Sequence, residues 1–326
     1  MPAEPATSRT VVRAASAPVR WLGGPLLTIL IASFVLFMAL AAAPGDPVMT
    51  LLGGHPTPEA VAAMRAKLGM DHSLIVQYWN WLIAAAQGHF GTSIIYRSDV
   101  ADLLAGRIRI TFFLVAYAAV IVVAVGVGLG ILGGAVKRLG SAVATIAAVG
   151  VAIPAFVAAL FLVQVFALGL GWFPTMGAGT GFFGHLWHMT LPAVALAIGA
   201  AAYIAQITRA TIFEEQSREH VEAARGRGLG SVDVFRRHVL RNAALPIITV
   251  SALTAAGLIA GTVVVEYAFG IGGLGSLLVS SVASKDYAVV EAITLILLVV
   301  FVVTLAIIDL LQAVLDPRSR AARKVG

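Results

Sequence analysis

Residues 110–136 read ITFFLVAYAAVIVVAVGVGLGILGGAV, a run without a single charged residue. A helix needs about 20 apolar residues to cross the roughly 30 Å hydrocarbon core of a bilayer, so this run predicts a transmembrane span. Inside it Gly126, Gly130 and Gly134 recur every four residues. That spacing of small residues lets one membrane helix approach another closely and predicts the packing face of the span.

Five further stretches are long and apolar enough to cross, near 21–43, 141–171, 189–208, 245–265 and 288–312. The first follows Arg9, Arg13 and Arg20 and contains Ala39-Leu40-Ala41, which resembles a signal-peptide cleavage site. Its apolar run is about twice the usual length of such a leader, so it reads as an uncleaved first span. Composition agrees: the 326 residues are 60% hydrophobic and 12% charged, with a mean hydropathy of +0.95. Soluble domains carry roughly 25% charged residues. A water-soluble fold of this composition would expose large apolar patches and aggregate.

The net charge is +6 and the pI about 10. The basic residues come in short runs between apolar segments, the distribution of membrane loops and not of a nucleic-acid-binding face. Sixteen of the 22 Lys and Arg fall in 1–20, 137–138, 209–244 and 314–326, and six in the alternate loops. The positive-inside rule then puts both termini and 209–244 in the cytoplasm. The chain divides into a cytoplasmic N-terminal segment 1–20, a first span 21–43, an extracytoplasmic cap 44–109, a helical core 110–313 and a cytoplasmic tail 314–326. In the cap, turn signals at PGDP (44–47) and GGHPTP (53–58) separate segments 59–68 and 73–86, which read as helical. The absence of cysteine excludes disulfides, thiolate metal sites and thiol nucleophiles.

Prolines punctuate the spans. Pro192 and Pro246 each follow a leucine and read as helix starts, where a missing N–H costs nothing. Pro154 sits inside the third span and predicts a kink of the kind that lines a path between helices. Gln164 and Gln206 lie nearer mid-membrane, where each suits either a polar path or a hydrogen bond to another helix.

The most polar stretch is residues 220–246, HVEAARGRGLGSVDVFRRHVLRNAALP. Residues 212–224 fit a helix carrying the i,i+4 pairs Glu214–Arg218 and Arg218–Glu222. Gly226, Gly228 and Gly230 break it, and Ser231 suits the N-cap of a second helix with Asp233 in its first turn. On that helix Val232, Phe235 and Val239 form an apolar stripe flanked by Arg236, Arg237 and Arg241. Exposed, each such side chain forgoes roughly 1.5–3 kcal/mol of burial. A partner's groove or an anionic lipid surface would cover the stripe.

Here the sequence resembles the permeases of ATP-binding-cassette (ABC) importers. Glu222-Ala223-Ala224, three residues, Gly228, and the later Leu245-Pro246 are similar to the family's EAA loop. PGDP at 44–47, KLGMD at 67–71 followed by Trp79, GHFGTS at 88–93, His238-x-Leu240-Arg241-Asn242-Ala243, DYAVVEAI at 286–293 and LDPR at 315–318 resemble landmarks of the dipeptide and oligopeptide branch. Many members of that branch have Arg and Thr where this chain has Glu222 and Ala223, which brings it nearer the general importer pattern.

The resemblance implies an all-α, type I importer permease fold with six transmembrane helices, in the cytoplasmic membrane of a bacterium. It implies a second homologous permease subunit, ABC ATPase subunits that bind ATP and Mg, an extracytoplasmic substrate-binding protein and surrounding lipid as partners. Dipeptides and oligopeptides are the implied cargo, with nickel, glutathione or haem as alternatives. In the family the EAA loop docks in a cleft of the ATPase, which assigns ATPase coupling here to Glu222, Ala223, Ala224, Gly228, Val232, Phe235, Arg237, His238, Val239, Arg241 and Asn242. The translocation path falls to Pro154, Gln164 and Gln206.

Other features point elsewhere. Glu266, Glu291 and Asp309 sit near span ends, where acids reach water. An ion-coupled secondary transporter would instead place a carboxylate at a span centre. His185, Trp187 and His188 suit an interfacial aromatic belt better than a metal site, since two histidines make a thin ligand set. FGIGGLG at 269–275 lacks the lysine of a phosphate-binding P-loop, so ATP hydrolysis is assigned away from this chain. The spans offer no Ser/His or acid pair at the depth a membrane protease or transferase would need, so no catalytic residue is expected.

Overall fold

Gly126, Gly130 and Gly134 do form a packing face. A Cβ at Gly126 or Gly134 would lie 2.9 Å or 2.8 Å from the Cβ of Ile204 or Ile212, and one at Gly130 would collide with Thr208. Two long helices therefore touch backbone to side chain: α5 (Val100–Ala135) and α8 (Gly181–Gln216). At its end α8 turns a side chain back onto α5, with Gln216 Nε2 donating to Gly134 O at 3.0 Å.

This computed structural model describes residues 8–43, 47–54, 56–67 and 69–315. The expectations for residues 1–7 and 316–326, LDPR beyond Leu315 included, and the PGDP turn at 44–46 lie outside the described residues. In chain order the remaining helices are α1 (Ser8–Ala41), α2 (Pro47–Leu52), α3 (Pro58–Lys67), α4 (Leu74–Ala86), α6 (Lys137–Ala152), α7 (Ala155–Leu162), α9 (Glu219–Gly226), α10 (Ser231–Val234), α11 (Arg241–Ala268), α12 (Leu274–Ala283) and α13 (Tyr287–Leu315). Two wider π-helical turns, Val163–Gly169 after α7 and Phe235–Leu240 between α10 and α11, complete the helical chain.

Among the described residues five helices are long and apolar enough to cross a membrane: Gly23–Ala41, Val100–Ala135, Gly181–Gln216, Ser231–Ala268 and Tyr287–Ala313. The third expected span is the exception. Arg138–Ala152 and Ala155–Gly169 meet at 97° and make a sixth crossing only if taken together. Pro154 is the cause. It has no N–H with which to continue the helix, and Ile153 N bonds to Gly150 O in a tightened last turn at 3.3 Å.

Pro192 and Pro246 are not helix starts. The α8 helix begins at Gly181 and α11 at Arg241, and both prolines lie inside. Membrane helices tolerate this because neighbouring groups re-satisfy the freed carbonyl.

The described residues separate into two units, one running to Ala101 and including 284–307, the other of 102–283 with the chain from Ile308 to Leu315. In the first, α3 and α4 realise the two helical segments expected in the cap. Tyr78 of α4 is buried against the middle of α1, where its hydroxyl donates to Leu30 O at 3.1 Å and shares a hydrogen bond with Ser33 Oγ at 3.0 Å. Phe34 meets its ring edge-on at 5.1 Å. The α4 helix leaves Ile75, Trp79 and Ile83 exposed, an apolar surface suited to lipid. In the second unit Leu114, Ala159, Met189, Ala193, Leu258 and Val265 build a core shared by α5, α7, α8 and α11.

Candidate functional site

The expected helix 212–224 is two helices. The α8 helix runs through the charged residues to Gln216, and α9 starts afresh after an extended Arg218, φ −78° and ψ 145°. Arg218 keeps its pair with Glu214 at 2.9 Å, but its second partner is Glu215 at 3.0 Å in place of Glu222. The acidic Glu219 and Glu222 fall in the first turn of α9, where the helix dipole favours them.

Gly228 closes α9. Its φ of +80° is the left-handed conformation that glycine adopts without a Cβ penalty. Leu229 N bonds to Ala224 O at 3.4 Å and Gly228 N to Arg225 O at 3.0 Å, the paired bonds of a Schellman C-cap. The spacing from Ala224 to Gly228 thus has a local cause. Ala224 and Val221 turn inward and are buried, while Glu222 and Ala223 face out.

After the turn, Ser231 to Ala268 form one continuous helix. The expected stripe of Val232, Phe235 and Val239 is not one face of it. Val239 is 1% exposed and packs with Ile212, Val221, Ala224, Val234, Ala243 and Ile247. Phe235 is half-buried against that cluster, and Val232 is 71% exposed. The π-helical turn Phe235–Leu240 carries an extra residue, so Val234 and Val239, five apart, point the same way. Ordinary helical spacing cannot reveal this pair.

The segment therefore has an inner and an outer surface. Burial of Val221, Val234 and Val239, worth roughly 1.5–3 kcal/mol each, holds it to the membrane helices. His220 links three helices: its Nε2 lies 3.2 Å from Glu215 Oε1 of α8 and 3.0 Å from Asn242 Nδ2 of α11. His238 places its ring 6.4 Å from that of His220. Outside are Glu222, Ala223, Gly228, Leu229, Val232, Arg237 and Arg241, with Arg237 paired to Asp233 at 3.6 Å. Val221, Val234, His220 and Glu215 were not singled out by sequence. Their signal is alternation of burial in a short, bent segment, which amphipathic averaging over a longer helix erases.

The residues assigned to a path lie on separate elements. Pro154 is exposed at the α6–α7 bend, Gln164 is exposed in the π-helical end of α7, and Gln206 is half-buried on α8. His185 Nδ1 lies 2.7 Å from Ala178 O and His188 Nδ1 lies 3.0 Å from Gly184 O. No group of three His, Asp or Glu side chains able to hold a metal occurs among the described residues.

Glu266 lies near the end of α11, as expected, but does not reach water: it is wholly buried in the second unit. Asp286 is also wholly buried, in the first unit.

Residues 126–321 match the family described as "Binding-protein-dependent transport system inner membrane component", and residues 17–115 match its companion, "Binding-prot-dependent transport system membrane comp, N-term". The chain is similar to the glutathione transport system permease protein GsiC of Shigella flexneri serotype 5b, 35% identical over 308 residues covering 93% of this chain and 98% of that relative. The protein of the same name from Salmonella typhimurium strain LT2 is 33% identical over 303 residues, 91% of this chain and 96% of that one. Among solved structures, one described as an amino acid ABC transporter with histidines aligns with a TM-score of 0.53 and 21% identity, covering 66% of this chain and 94% of that one. This last likeness concerns the fold.

Proposed function

The chain belongs to the family of binding-protein-dependent transport system inner membrane components, and from that premise we propose that it forms one half of the path by which an importer carries short peptides or glutathione across the cytoplasmic membrane. It is an ABC importer permease. ATP and Mg bind on separate ATPase subunits, a second permease completes the path, and a substrate-binding protein delivers cargo from outside. Both termini and residues 209–244 face the cytoplasm.

One observation carries the coupling role. The 219–240 segment is fixed to the spans by a buried valine cluster, yet presents Ala223, Leu229 and Val232 outward beside arginines. An exposed apolar tip on a rigid base is suited to a groove in a partner that pushes on it. The tip continues without interruption into the helix that ends at Ala268, so a push at one end is felt along the whole rod.

The test is purification of the tagged chain from its native cells in mild detergent. Recovery of an ATPase and a second permease is expected, with ATP-dependent uptake of labelled glutathione or dipeptide when the complex is placed in vesicles with its binding protein. Isolation of the chain alone and stable would overturn the reading.

A further inference from the structure

Glu266 lies at the end of the continuous helix opposite the coupling tip and has no access to water. Its Oε1 accepts the Thr111 hydroxyl of α5 at 2.6 Å. Its Oε2 accepts the N–H groups of Gly275 at 2.7 Å and Ser276 at 3.2 Å, in the first turn of α12. Thr111 Oγ1 in turn accepts the N–H of Leu274 at 2.8 Å. The first three N–H groups of α12, orphaned in any helix, are thus satisfied by two side chains from α5 and α11. A carboxylate at a helix N-terminus also meets the positive end of its dipole.

The turn between α11 and α12 is shaped around this carboxylate. A Cβ at Gly273 would collide with it, and a Cβ at Gly275 would lie 2.5 Å from Val263 Cα and 3.0 Å from Glu266 Oε2. Ile271 N bonds to Glu266 O at 2.9 Å, folding the glycine run back on the same residue. FGIGGLG, which lacks the lysine needed to hold a phosphate, here closes over a carboxylate of its own chain.

We propose that Glu266 is a positioning residue of the transport cycle: it fastens the α11–α12 turn and the start of α12 to α5 and α11, so that these elements move as one piece when the coupling tip is pushed. The inference rests on the coupling role of the 219–240 segment. The rod that carries the tip and Glu266, Ser231–Ala268, is 38 residues, roughly 55 Å at 1.5 Å per residue. Displacement of a rod is useful at its far end only where that end is attached to something. A carboxyl group held by a hydroxyl and two backbone N–H groups provides that attachment. If the attachment is lost, α12 is free to stay behind while α11 moves.

The test uses the complete importer in lipid nanodiscs, with Glu266→Gln, Glu266→Ala, Thr111→Val and Thr111→Ser in this chain. Gln keeps the shape but sets an amide NH2 against one set of donors, and Ser keeps the hydroxyl that Val removes. Assembly with the ATPases and ATP hydrolysis without binding protein are expected to be unchanged. Uptake is expected to fall at least about tenfold in E266Q, E266A and T111V and to be retained in T111S, a loss at the low end of usual coupling energies. Spin labels on cysteines at Val264 and Val282, both exposed, read the attachment directly. In the wild type one narrow distance is expected with and without ATP, and in E266A a broadened one. Normal uptake by E266A, or a narrow distance in E266A, would overturn the proposal. If no ATPase is recovered even with the wild-type chain, the coupling reading fails by itself, and the label distance in the full-length chain still judges the Glu266 attachment.

Discussion

Ser93 Oγ donates to Asp286 Oδ2 at 2.5 Å, joining residues 193 positions apart in sequence. The same carboxylate accepts the N–H groups of Ile94 at 3.4 Å and Ile95 at 3.3 Å, and Ser93 Oγ accepts that of Tyr96 at 2.9 Å. The GHFGTS and DYAVVEAI segments, separate landmarks in the sequence, are two halves of one buried joint. Removing an acceptor from buried donors costs about 1–3 kcal/mol. Asp286→Ala is expected to lower the thermal midpoint of the detergent-solubilised protein, and Ser93→Ala to lower it less. Equal midpoints for D286A and wild type would refute the joint.

Gly228→Ala forces a Cβ into a left-handed turn, at about 1–2 kcal/mol. The strain falls on the α9 C-cap and leaves the spans untouched. The expected result is normal membrane insertion with reduced recovery of the ATPase on purification, measured by quantitative immunoblot of the complex.

Val232 and Val239 give opposite outcomes. Val232→Asp adds a charge to an exposed tip and is expected to leave folding intact while reducing uptake at least about tenfold, a loss of roughly 1.4 kcal/mol of docking. Val239→Asp puts a charge among Ile212, Val221 and Ile247, and an unpaired buried charge costs several kcal/mol, on the order of a whole protein's stability. That variant is expected to be degraded in cells. Normal uptake by V232D would remove the tip from the coupling surface.

Topology is read by single cysteines, since the chain has none of its own. Tyr96 and Ser231 are both exposed. A membrane-impermeant maleimide added to intact cells is expected to label Tyr96→Cys only, and Ser231→Cys after lysis. Labelling of position 231 in intact cells would invert the orientation.

Hydropathy located the five long apolar helices and the bent pair because lipid demands a long uncharged run, and Pro154 announced its own bend. It misjudged where the helices end. Charged residues such as Arg107, Arg109, Glu214 and Glu215 look like loop to a hydropathy window, yet they are good company for a helix that continues past the bilayer, and α5 and α8 do continue. Glu266 and Asp286 were illegible for a different reason. Their partners are backbone N–H groups and hydroxyls gathered by tertiary folding, a kind of donor that every residue carries and no motif advertises. Glu222, Ala223, Gly228 and Val232, singled out by sequence, lie on the outer surface of the 219–240 segment. The inward half was hidden by the π-helical turn, since FRRHVL has nothing in its composition to distinguish it from α-helix.

That turn sets a phase. A helix advances about 100° per residue, so the single extra residue between Phe235 and Leu240 decides which compass direction Val232 faces relative to everything beyond Arg241. Deleting one residue there would shorten the segment hardly at all but swing the tip by about 100°, as a key cut correctly but offered to the lock on its side. The bearing of the tip is therefore written in the number of residues in one turn and not in their identity.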